Sequence, residues 1–172
     1  MECFPSQFVL RARHSSQQSL VEGLNRVWAA APSAHVCYEA SVIIGVGIDL
    51  CRIERVRRSV DQLGDAWLSE VFTTKERRQY LGVADMGFAF ARGFACKEAC
   101  AKALGCGFSG GVQPRDICIS DVGNCFHISL QGPAWTRLRR MAPPKHVPKF
   151  QIDVAIFGPY LSCTVIIEGV AI

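Results

Sequence analysis

Two carboxylates and a lysine are the residues of this 172-residue chain whose types and spacing could support phosphate chemistry. Glu98 and Lys102 are four residues apart in FACKEACAKALGCG, which places them on one face of a helix. Asp49 ends the apolar run GVGID, where a carboxylate is unfavourable unless it is exposed, paired or bound to a metal. If the two carboxylates converge, they match the one or two that Mg²⁺ takes from a protein, and Lys102 adds a point charge for ligand phosphates.

Each of these residues also has an ordinary structural interpretation. Glu98 and Lys102 can form a solvated ion pair worth about 0.2–0.5 kcal/mol. Asp49 can cap the helix that begins near Arg52. The alanines and cysteines around Glu98 favour a site, because a helix of small residues allows a ligand or another backbone to approach closely.

The loop after this helix is rich in glycine. In GCGFSGG, residues 105–111, the backbone amides are free of side-chain bulk, which suits them to contact a phosphate. Gly105 also stands where a left-handed helix cap is expected. The combination implies a polyphosphate ligand with Mg²⁺. It is not a nucleotide P-loop, since no GxxxxGK[ST] follows a strand.

The composition is typical of one soluble globular domain, with 49% apolar residues, 20% charged residues and a net charge of +4. No apolar run approaches the roughly 20 residues that span a bilayer, and the charge is far from a nucleic-acid signature. We therefore expect neither a membrane nor a nucleic acid as a partner. The nine cysteines are odd in number and contain no CxxC pair, which favours reduced core residues over disulfides or zinc.

Residues 1–40 differ from the rest of the chain and are expected to be an extension. They contain basic residues and serines, few acidic residues, and apolar residues at the spacing of one helix face. These are properties of an organelle transit peptide, but a non-structural extension or a misplaced start has them equally. The expected localisation is therefore cytoplasmic, or a plastid or mitochondrion if this segment is a transit peptide. The catalytic domain is expected over residues 41–172.

The order of periodic segments predicts an α+β fold, with a small antiparallel sheet packed on a long central helix. Gly45 and Gly47 thin the first strand, so that another element can pack closely against it. The predicted elements are a strand at 41–50, helices at 52–64, 74–82 and about 88–104, strands at 116–121 and 125–130 around a turn at 122–124, a helix at 133–141, and strands at 150–158 and 160–169.

Three blocks of the sequence resemble the holo-[acyl-carrier-protein] synthases, which are short, trimeric 4'-phosphopantetheinyl transferases. The blocks are GVGIDLCRIER, FACKEACAKALGCG and TVIIEG, and their order and spacing fit over residues 42–169. The resemblance implies a magnesium-dependent enzyme that transfers 4'-phosphopantetheine from coenzyme A to a serine of apo-acyl carrier protein. Adenosine 3',5'-bisphosphate is released, and the reaction serves fatty acid biosynthesis. A 4'-phosphopantetheinyl transferase-like fold and a homotrimer with sites between subunits are also implied.

The same resemblance implies roles for individual residues. Asp49 and Glu98 bind the magnesium ion, and Lys102 contacts the bridging phosphates of coenzyme A. Gly105 and Gly107 lie along its nucleotide. Glu98 is also the candidate base for the serine proton, directly or through a metal-bound water. Lys102 stabilises the charge that develops on the leaving bisphosphate.

The helix after the first strand is implied to dock the acidic carrier protein through Arg52 and Arg55. With Arg57 and Arg58 these residues form a basic cluster that can steer such a partner. An ordinary solvated helix face is the alternative interpretation, because exposure is the default for charged residues.

Four positions depart from the family pattern. Gly93 replaces an arginine, and Arg92 stands one residue earlier, about 100° away on a helix. A lysine is lost at Asn124, and Gln151 and Ile156 replace two histidines. Each change removes a substrate contact and none removes the metal pair. We expect an active enzyme with shifted coenzyme A contacts.

Two alternatives without catalysis remain. One is a weakened module that binds coenzyme A or the carrier protein on the same scaffold. The other is a subunit used only for oligomerisation, with Phe88, Phe90 and Phe94 at its interface rather than in its core. Retention of Asp49, Glu98 and Lys102 together favours the enzyme, because binding alone would not need the full metal set.

Overall fold

The computed structural model of this chain describes residues 41–122 and 125–172. The expected extension at 1–40 and most of the turn predicted at 122–124 lie outside these ranges. Among the described residues, no helix combines the length and the hydrophobicity that crossing a membrane requires. The elements in chain order are β1 (Ser41–Arg52), α1 (Ile53–Val71), α2 (Thr74–Leu81), α3 (Met86–Ala103), a 3₁₀ turn (Pro114–Asp116), β2 (Ile117–Val122), β3 (Cys125–Leu130), α4 (Gly132–Met141), β4 (His146–Phe157) and β5 (Tyr160–Ala171).

A three-stranded antiparallel sheet has the order β1-β5-β4, and β2 pairs with β3 in a separate antiparallel hairpin. Every second side chain of β5 is fully buried and belongs to the hydrophobic core, as alternation along a strand with one covered face requires. These residues are Leu161, Cys163, Val165 and Ile167. The predicted α+β fold, with a small antiparallel sheet packed on a long central helix, is confirmed.

The central helix α3 is buried along most of its length because small residues cover it. Ala91, Ala95 and Ala99 have no exposed surface. The side chain of Asp85 caps the helix by accepting a hydrogen bond from the amide of Phe88 at 2.9 Å. Phe90 is fully buried, while Phe88 and Phe94 pack against the core at its edge.

The contact between β1 and α3 is a contact between two backbones. A Cβ at Gly45 would overlap the carbonyl oxygen of Ala103, so this position of the strand admits no side chain. The prediction that glycines in β1 allow another element to pack closely is confirmed, and the element is α3. The neighbouring residues of β1 are thereby brought next to the last turns of the helix.

The helix predicted to end at Gly64 continues beyond that residue. Gly64 has φ 53° and ψ −134°, which interrupts α1 without ending it, and helical structure resumes as far as Val71. Leu68 and Val71 of this second segment are buried in the core. Their burial stabilises a further helical stretch that the glycine alone would have terminated.

Six cysteines are free thiols, namely Cys51, Cys96, Cys100, Cys106, Cys118 and Cys163. Cys51, Cys96, Cys100 and Cys163 are buried core residues. Burial, followed by the charge of the neighbouring Asp49, raises the pKa of Cys51 to about 11. This thiol is therefore protonated at neutral pH.

Candidate functional site

Asp49, Glu98 and Lys102 meet where β1 crosses the last turns of α3. The Nζ atom of Lys102 donates hydrogen bonds to Oδ1 of Asp49 at 2.7 Å and to the carbonyl oxygen of Ile48 at 3.0 Å. The side chain of Asp49 is 15% exposed and that of Lys102 is 46% exposed. Lys102 is thus paired with a carboxylate from another element, rather than with Glu98 on its own helix.

The interpretation of Asp49 as a helix cap is wrong. The N-cap residue of α1 is Arg52, and it makes no side-chain cap hydrogen bond. Asp49 lies within β1, opposite Cys163 of β5, on the side of the strand that faces α3. The strand therefore directs this carboxylate toward Lys102 and Glu98.

Glu98 and Asp49 line one cleft of about 270 Å³. Burial raises the pKa of the Glu98 carboxyl above its usual value, and the charge of Asp49 raises it further. Lys102 and Arg55 oppose this shift. Within residues 41–122 and 125–172 the Glu98 carboxylate has no hydrogen bond or ion pair, so it is available to a ligand. The cleft is lined by Asp49, Leu50, Cys51, Arg52, Arg55, Val56, Phe94, Glu98 and Tyr160.

This donor set fits a hard divalent cation. Two half-buried or buried carboxylates repel each other, and a cation between them would relieve that repulsion. Mg²⁺ takes one or two protein carboxylates and completes its octahedron with water and substrate oxygens. The described part of the chain contains no cluster of three or more His, Cys, Asp or Glu side chains arranged around one point. The remaining ligands would therefore come from solvent and substrate.

The loop after α3 begins with the predicted left-handed cap, since Gly105 has φ 70° and Gly107 has φ 56°. Its first three amides are already engaged. The amide of Gly105 donates to the carbonyl oxygen of Lys102 at 2.8 Å. The amides of Cys106 and Gly107 donate to the carbonyl oxygen of Ala101 at 3.4 and 3.1 Å. These amides close the carbonyl end of the helix, and they are not directed toward a ligand.

Sequence reasoning gave no role to Arg137 on α4, which contacts the same helix end. Its Nε donates to the carbonyl oxygen of Leu104 at 2.6 Å, and its Nη2 donates to that of Gly105 at 3.3 Å. The partners are 33 and 32 residues apart in sequence. No local pattern could have indicated this contact.

Helix α1 presents part of its basic cluster to a second cleft of about 400 Å³. Arg52 and Arg55 line both clefts, and Arg58 lines the second. Arg57 instead places Nη2 at 2.6 Å from Oδ2 of Asp85, the capping residue of α3. The predicted cluster of four arginines is therefore divided between a surface and a structural ion pair.

Comparison with known proteins identifies the family to which this arrangement belongs. Residues 45–140 match the 4'-phosphopantetheinyl transferase superfamily. The holo-[acyl-carrier-protein] synthase of Gluconobacter oxydans is 38% identical over 133 residues, which cover 75% of this chain and 84% of the relative. That of Methylorubrum populi is 39% identical over 132 residues, which cover 76% and 97%. The chain belongs to the holo-[acyl-carrier-protein] synthase family. It is accordingly an enzyme of the phosphopantetheinyl transferase class.

Solved structures of holo-[acyl-carrier-protein] synthases share the fold. The protein from Neisseria meningitidis has a TM-score of 0.62 and 23% identity, covering 73% of this chain and 98% of that one. The protein from Helicobacter pylori, solved in complex with coenzyme A, has a TM-score of 0.59 and 23% identity, with 71% and 98% covered. These matches confirm the predicted 4'-phosphopantetheinyl transferase-like fold.

The departure from the family pattern at Gly93 has a packing counterpart in this chain. A Cβ at Gly93 would lie 2.8 Å from Cε2 and Oη of Tyr80, so the ring of Tyr80 occupies the space that a side chain would need. Arg92, one residue earlier on α3, lies near two aromatic rings. Its guanidinium lies 4.7 Å from the ring centroid of Phe126 and 5.9 Å from that of Phe88.

Two of the other departures are exposed residues of β4. Gln151 donates a hydrogen bond from Nε2 to Glu168 at 2.8 Å on the exposed face of the sheet. Ile156 is exposed. Asn124 lies outside the described residues. Neither Gln151 nor Ile156 forms a hydrogen bond or ion pair with Asp49 or Glu98.

Lys97, the neighbour of Glu98, is a second residue whose role sequence reasoning missed. It is fully buried, and its Nζ lies 2.8 and 3.1 Å from the two carboxylate oxygens of Glu76 on α2. It also donates to the carbonyl oxygens of Pro114, at 3.0 Å, and Ile117. Burial lowers the pKa of the Lys97 amine, and the charge of Glu76 opposes that shift. A single lysine in an apolar helix gave no signal of its direction.

Proposed function

We propose that this chain transfers the 4'-phosphopantetheine group of coenzyme A to a serine of apo-acyl carrier protein in a magnesium-dependent reaction. The observation that carries the proposal is the convergence of Asp49, Glu98 and Lys102 at the β1–α3 contact, from two separate sequence blocks. The substrate class is supported by relatives named holo-[acyl-carrier-protein] synthase and by a family structure solved with coenzyme A.

Each residue of the site has a chemical role in this proposal. Asp49 and Glu98 would hold Mg²⁺, which when bound supplies charge neutralisation and orientation of the pyrophosphate. The serine oxygen forms a bond to the phosphorus that carries pantetheine, and the bond from that phosphorus to the bridging oxygen breaks. Glu98 accepts the serine proton as the general base. Lys102 stabilises the negative charge on the departing adenosine 3',5'-bisphosphate, as positioned cations do.

The nucleotide end of coenzyme A is proposed to lie along Gly105 and Gly107. A Cβ at Gly107 would have no atom within 4 Å, so the backbone here is open to a ligand. Lys102 lies in the last turn of α3, directly before this loop, and would contact the phosphates of the same molecule. Together these residues form the proposed coenzyme A site.

The carrier protein is proposed to dock on α1 through Arg52 and Arg55. Both arginines line the larger cleft as well as the cleft that contains Asp49 and Glu98. A carrier bound to the larger cleft would therefore place its serine next to the cleft that contains Asp49 and Glu98. Basic side chains at this position would also accelerate the encounter with an acidic partner.

A homotrimer, with sites between subunits, is part of the proposal. The face of β1 that points away from α3 exposes three alternating apolar side chains, Val46, Ile48 and Leu50, which are 51%, 57% and 64% exposed. An apolar strip of this kind is typical of a surface that another subunit covers. Its position next to Asp49 would bring a neighbouring subunit to the edge of the site.

The reaction is proposed to serve fatty acid biosynthesis in the cytoplasm, through the folded domain over residues 41–172. If residues 1–40 are a transit peptide, the compartment would be a plastid or a mitochondrion. Localisation of a fluorescent fusion of the complete chain, compared with a fusion that starts at Ser41, distinguishes these cases.

The test of the proposed function is transfer of label from coenzyme A to purified apo-acyl carrier protein. Wild type, Glu98→Gln and Glu70→Gln would be compared, with magnesium and with a chelator. Glu70 is an exposed glutamate on α1 outside both clefts and serves as the matched control. We expect labelling by wild type and Glu70→Gln with magnesium only, and a loss of about 100-fold or more in Glu98→Gln. A folded wild type that labels none of several carriers would refute the transferase proposal.

A further inference from the structure

The carbonyl end of α3 lies where the proposed function places the nucleotide of coenzyme A. The C-terminal end of a helix carries a partial negative charge, because its last carbonyl groups have no partner within the helix. The phosphates of coenzyme A are also negative. A nucleotide along Gly105 and Gly107 would therefore be repelled unless the protein satisfies and offsets these carbonyls.

The loop amides satisfy only part of this helix end. Those of Gly105, Cys106 and Gly107 are donated to the carbonyl oxygens of Ala101 and Lys102. The carbonyl oxygens of Leu104 and Gly105 accept no hydrogen bond from these three amides. Because these amides are engaged, they cannot also supply the positive potential that a phosphate needs.

Arg137 takes the two carbonyls that follow. Its guanidinium donates to Leu104 at 2.6 Å through Nε and to Gly105 at 3.3 Å through Nη2. One cation thus binds two consecutive carbonyl oxygens at the negative end of α3. The residue itself is exposed, so its charge remains at the surface along which the nucleotide would lie.

The element that carries Arg137 is firmly placed. Ala134 and Leu138 on either side of it in α4 have no exposed surface and anchor the helix in the core. Arg137 is held at the end of α3 by this packing, and the contact joins two helices that are distant in sequence. A substitution at Arg137 would therefore release the loop without removing the anchor of α4.

We propose that Arg137 is a positioning residue for coenzyme A. It holds the carbonyls of Leu104 and Gly105, fixes the turn through Gly107, and offsets the negative helix end so that an anionic nucleotide can bind there. The inference rests on the proposed function. It assigns part of the coenzyme A affinity to a residue outside the three sequence blocks, and none of the affinity for the carrier protein.

The test compares Arg137→Ala, Arg137→Gln and Arg137→Lys with Arg139→Ala in the full-length protein. Arg139 is an exposed arginine on the same helix and is the matched control. For each variant, KM for coenzyme A, KM for the carrier protein and kcat are measured. The Kd for adenosine 3',5'-bisphosphate is measured by calorimetry, which requires no turnover.

We expect the alanine and glutamine variants to raise KM for coenzyme A and Kd for the bisphosphate by about tenfold or more, because charge-assisted hydrogen bonds are lost. KM for the carrier should change less than twofold, and the lysine variant should recover part of the loss. Arg139→Ala should match wild type.

Three results would overturn the inference. They are an unchanged Kd in Arg137→Ala, an equal rise in KM for both substrates with a lowered melting temperature, and wild-type affinity in Arg137→Gln. If the wild type labels no carrier, the proposed function fails, and the calorimetric comparison still decides the role of Arg137.

Discussion

Gly47 of β1 lies against the carbonyl oxygen of Ala99 on α3, so closely that a Cβ at Gly47 would overlap that oxygen. This contact sets the distance between strand and helix at the site. Asp49 is two residues further along the strand, and it reaches Lys102 because the two backbones touch here. The first sequence block and the central block are therefore complementary surfaces as well as sources of ligands.

Gly47→Ala should destabilise the protein, because the added methyl group meets backbone that cannot move aside. We expect the free energy of unfolding to fall by an amount near the upper end of about 1–3 kcal/mol, with a melting temperature several degrees lower. Gly82→Ala is the matched control, since φ at Gly82 is −88° and its Cβ would have no neighbour closer than 3.9 Å. Thermal denaturation of both variants measures the difference. Equal melting temperatures would contradict the close contact.

Lys97→Met should destabilise the protein strongly, because it leaves the carboxylate of Glu76 buried without its cation. Loss of one partner of a buried pair costs about 3–5 kcal/mol. The double variant Lys97→Met with Glu76→Gln should lose less than the sum of the two single variants, as a direct interaction requires. Urea denaturation measures these changes. Lys75→Met, at an exposed lysine of α2, should stay within about 0.5 kcal/mol of wild type.

Lys102→Met should separate metal binding from turnover. Lys102 now shares Asp49 with the proposed magnesium ion, so its removal leaves the carboxylate free. A half-exposed ion pair is worth up to about 1 kcal/mol, which corresponds to a tighter metal Kd by up to about fivefold. Transfer should nevertheless fall by about 100-fold, because the leaving bisphosphate loses its cation. Calorimetric titration with Mg²⁺ and the labelling assay measure the two effects. Weaker metal binding in Lys102→Met would contradict this assignment, and Lys149→Met is the control.

Arg55→Glu and Arg57→Gln should affect the carrier protein differently. Arg55 lines both clefts, so charge reversal should raise KM for the carrier by about tenfold or more and reduce its dependence on salt. Arg57 is committed to Asp85, and its variant should retain a carrier KM within about twofold of wild type. Initial rates at two ionic strengths measure both. An equal effect of the two variants would show that docking does not use the face that Arg55 occupies.

The order of helices and strands could be predicted because each element carries its own periodicity and its own end signals. Thr73 caps α2 with reciprocal hydrogen bonds to Glu76, and the sequence carries this signal as a threonine three residues before a glutamate. Gly64 shows the limit of local signals. Its positive φ was readable from residue type, but the return to helix depends on burial of Leu68 and Val71 by distant elements.

The site could be predicted as a set of residues but not as a set of contacts. The side-chain chemistry of Asp49, Glu98 and Lys102 indicates a common site, and all three lie at one place. Which carboxylate pairs with Lys102 is not predictable from the sequence, because its amine can turn toward Glu98 or toward Asp49. Arg57 and Arg137 have partners 28 residues or more away in sequence, which local patterns do not encode.

Lys97 and Glu98 are consecutive residues that face opposite environments, about 100° apart around the axis of α3. A rotation of α3 that brought Glu98 to the position of Lys97 would place it against the carboxylate of Glu76 and would move Lys97 away from its acceptors. Only one rotation of α3 about its axis satisfies both side chains. The buried Lys97–Glu76 ion pair therefore fixes the rotation of the helix, and with it the direction of Glu98. The direction of Glu98 therefore depends on Glu76, which contacts α3 through Lys97 and not through Glu98. Substitutions in α2 that contact no substrate would therefore shift the Glu98 carboxylate, because they would change the rotation of α3 about its axis.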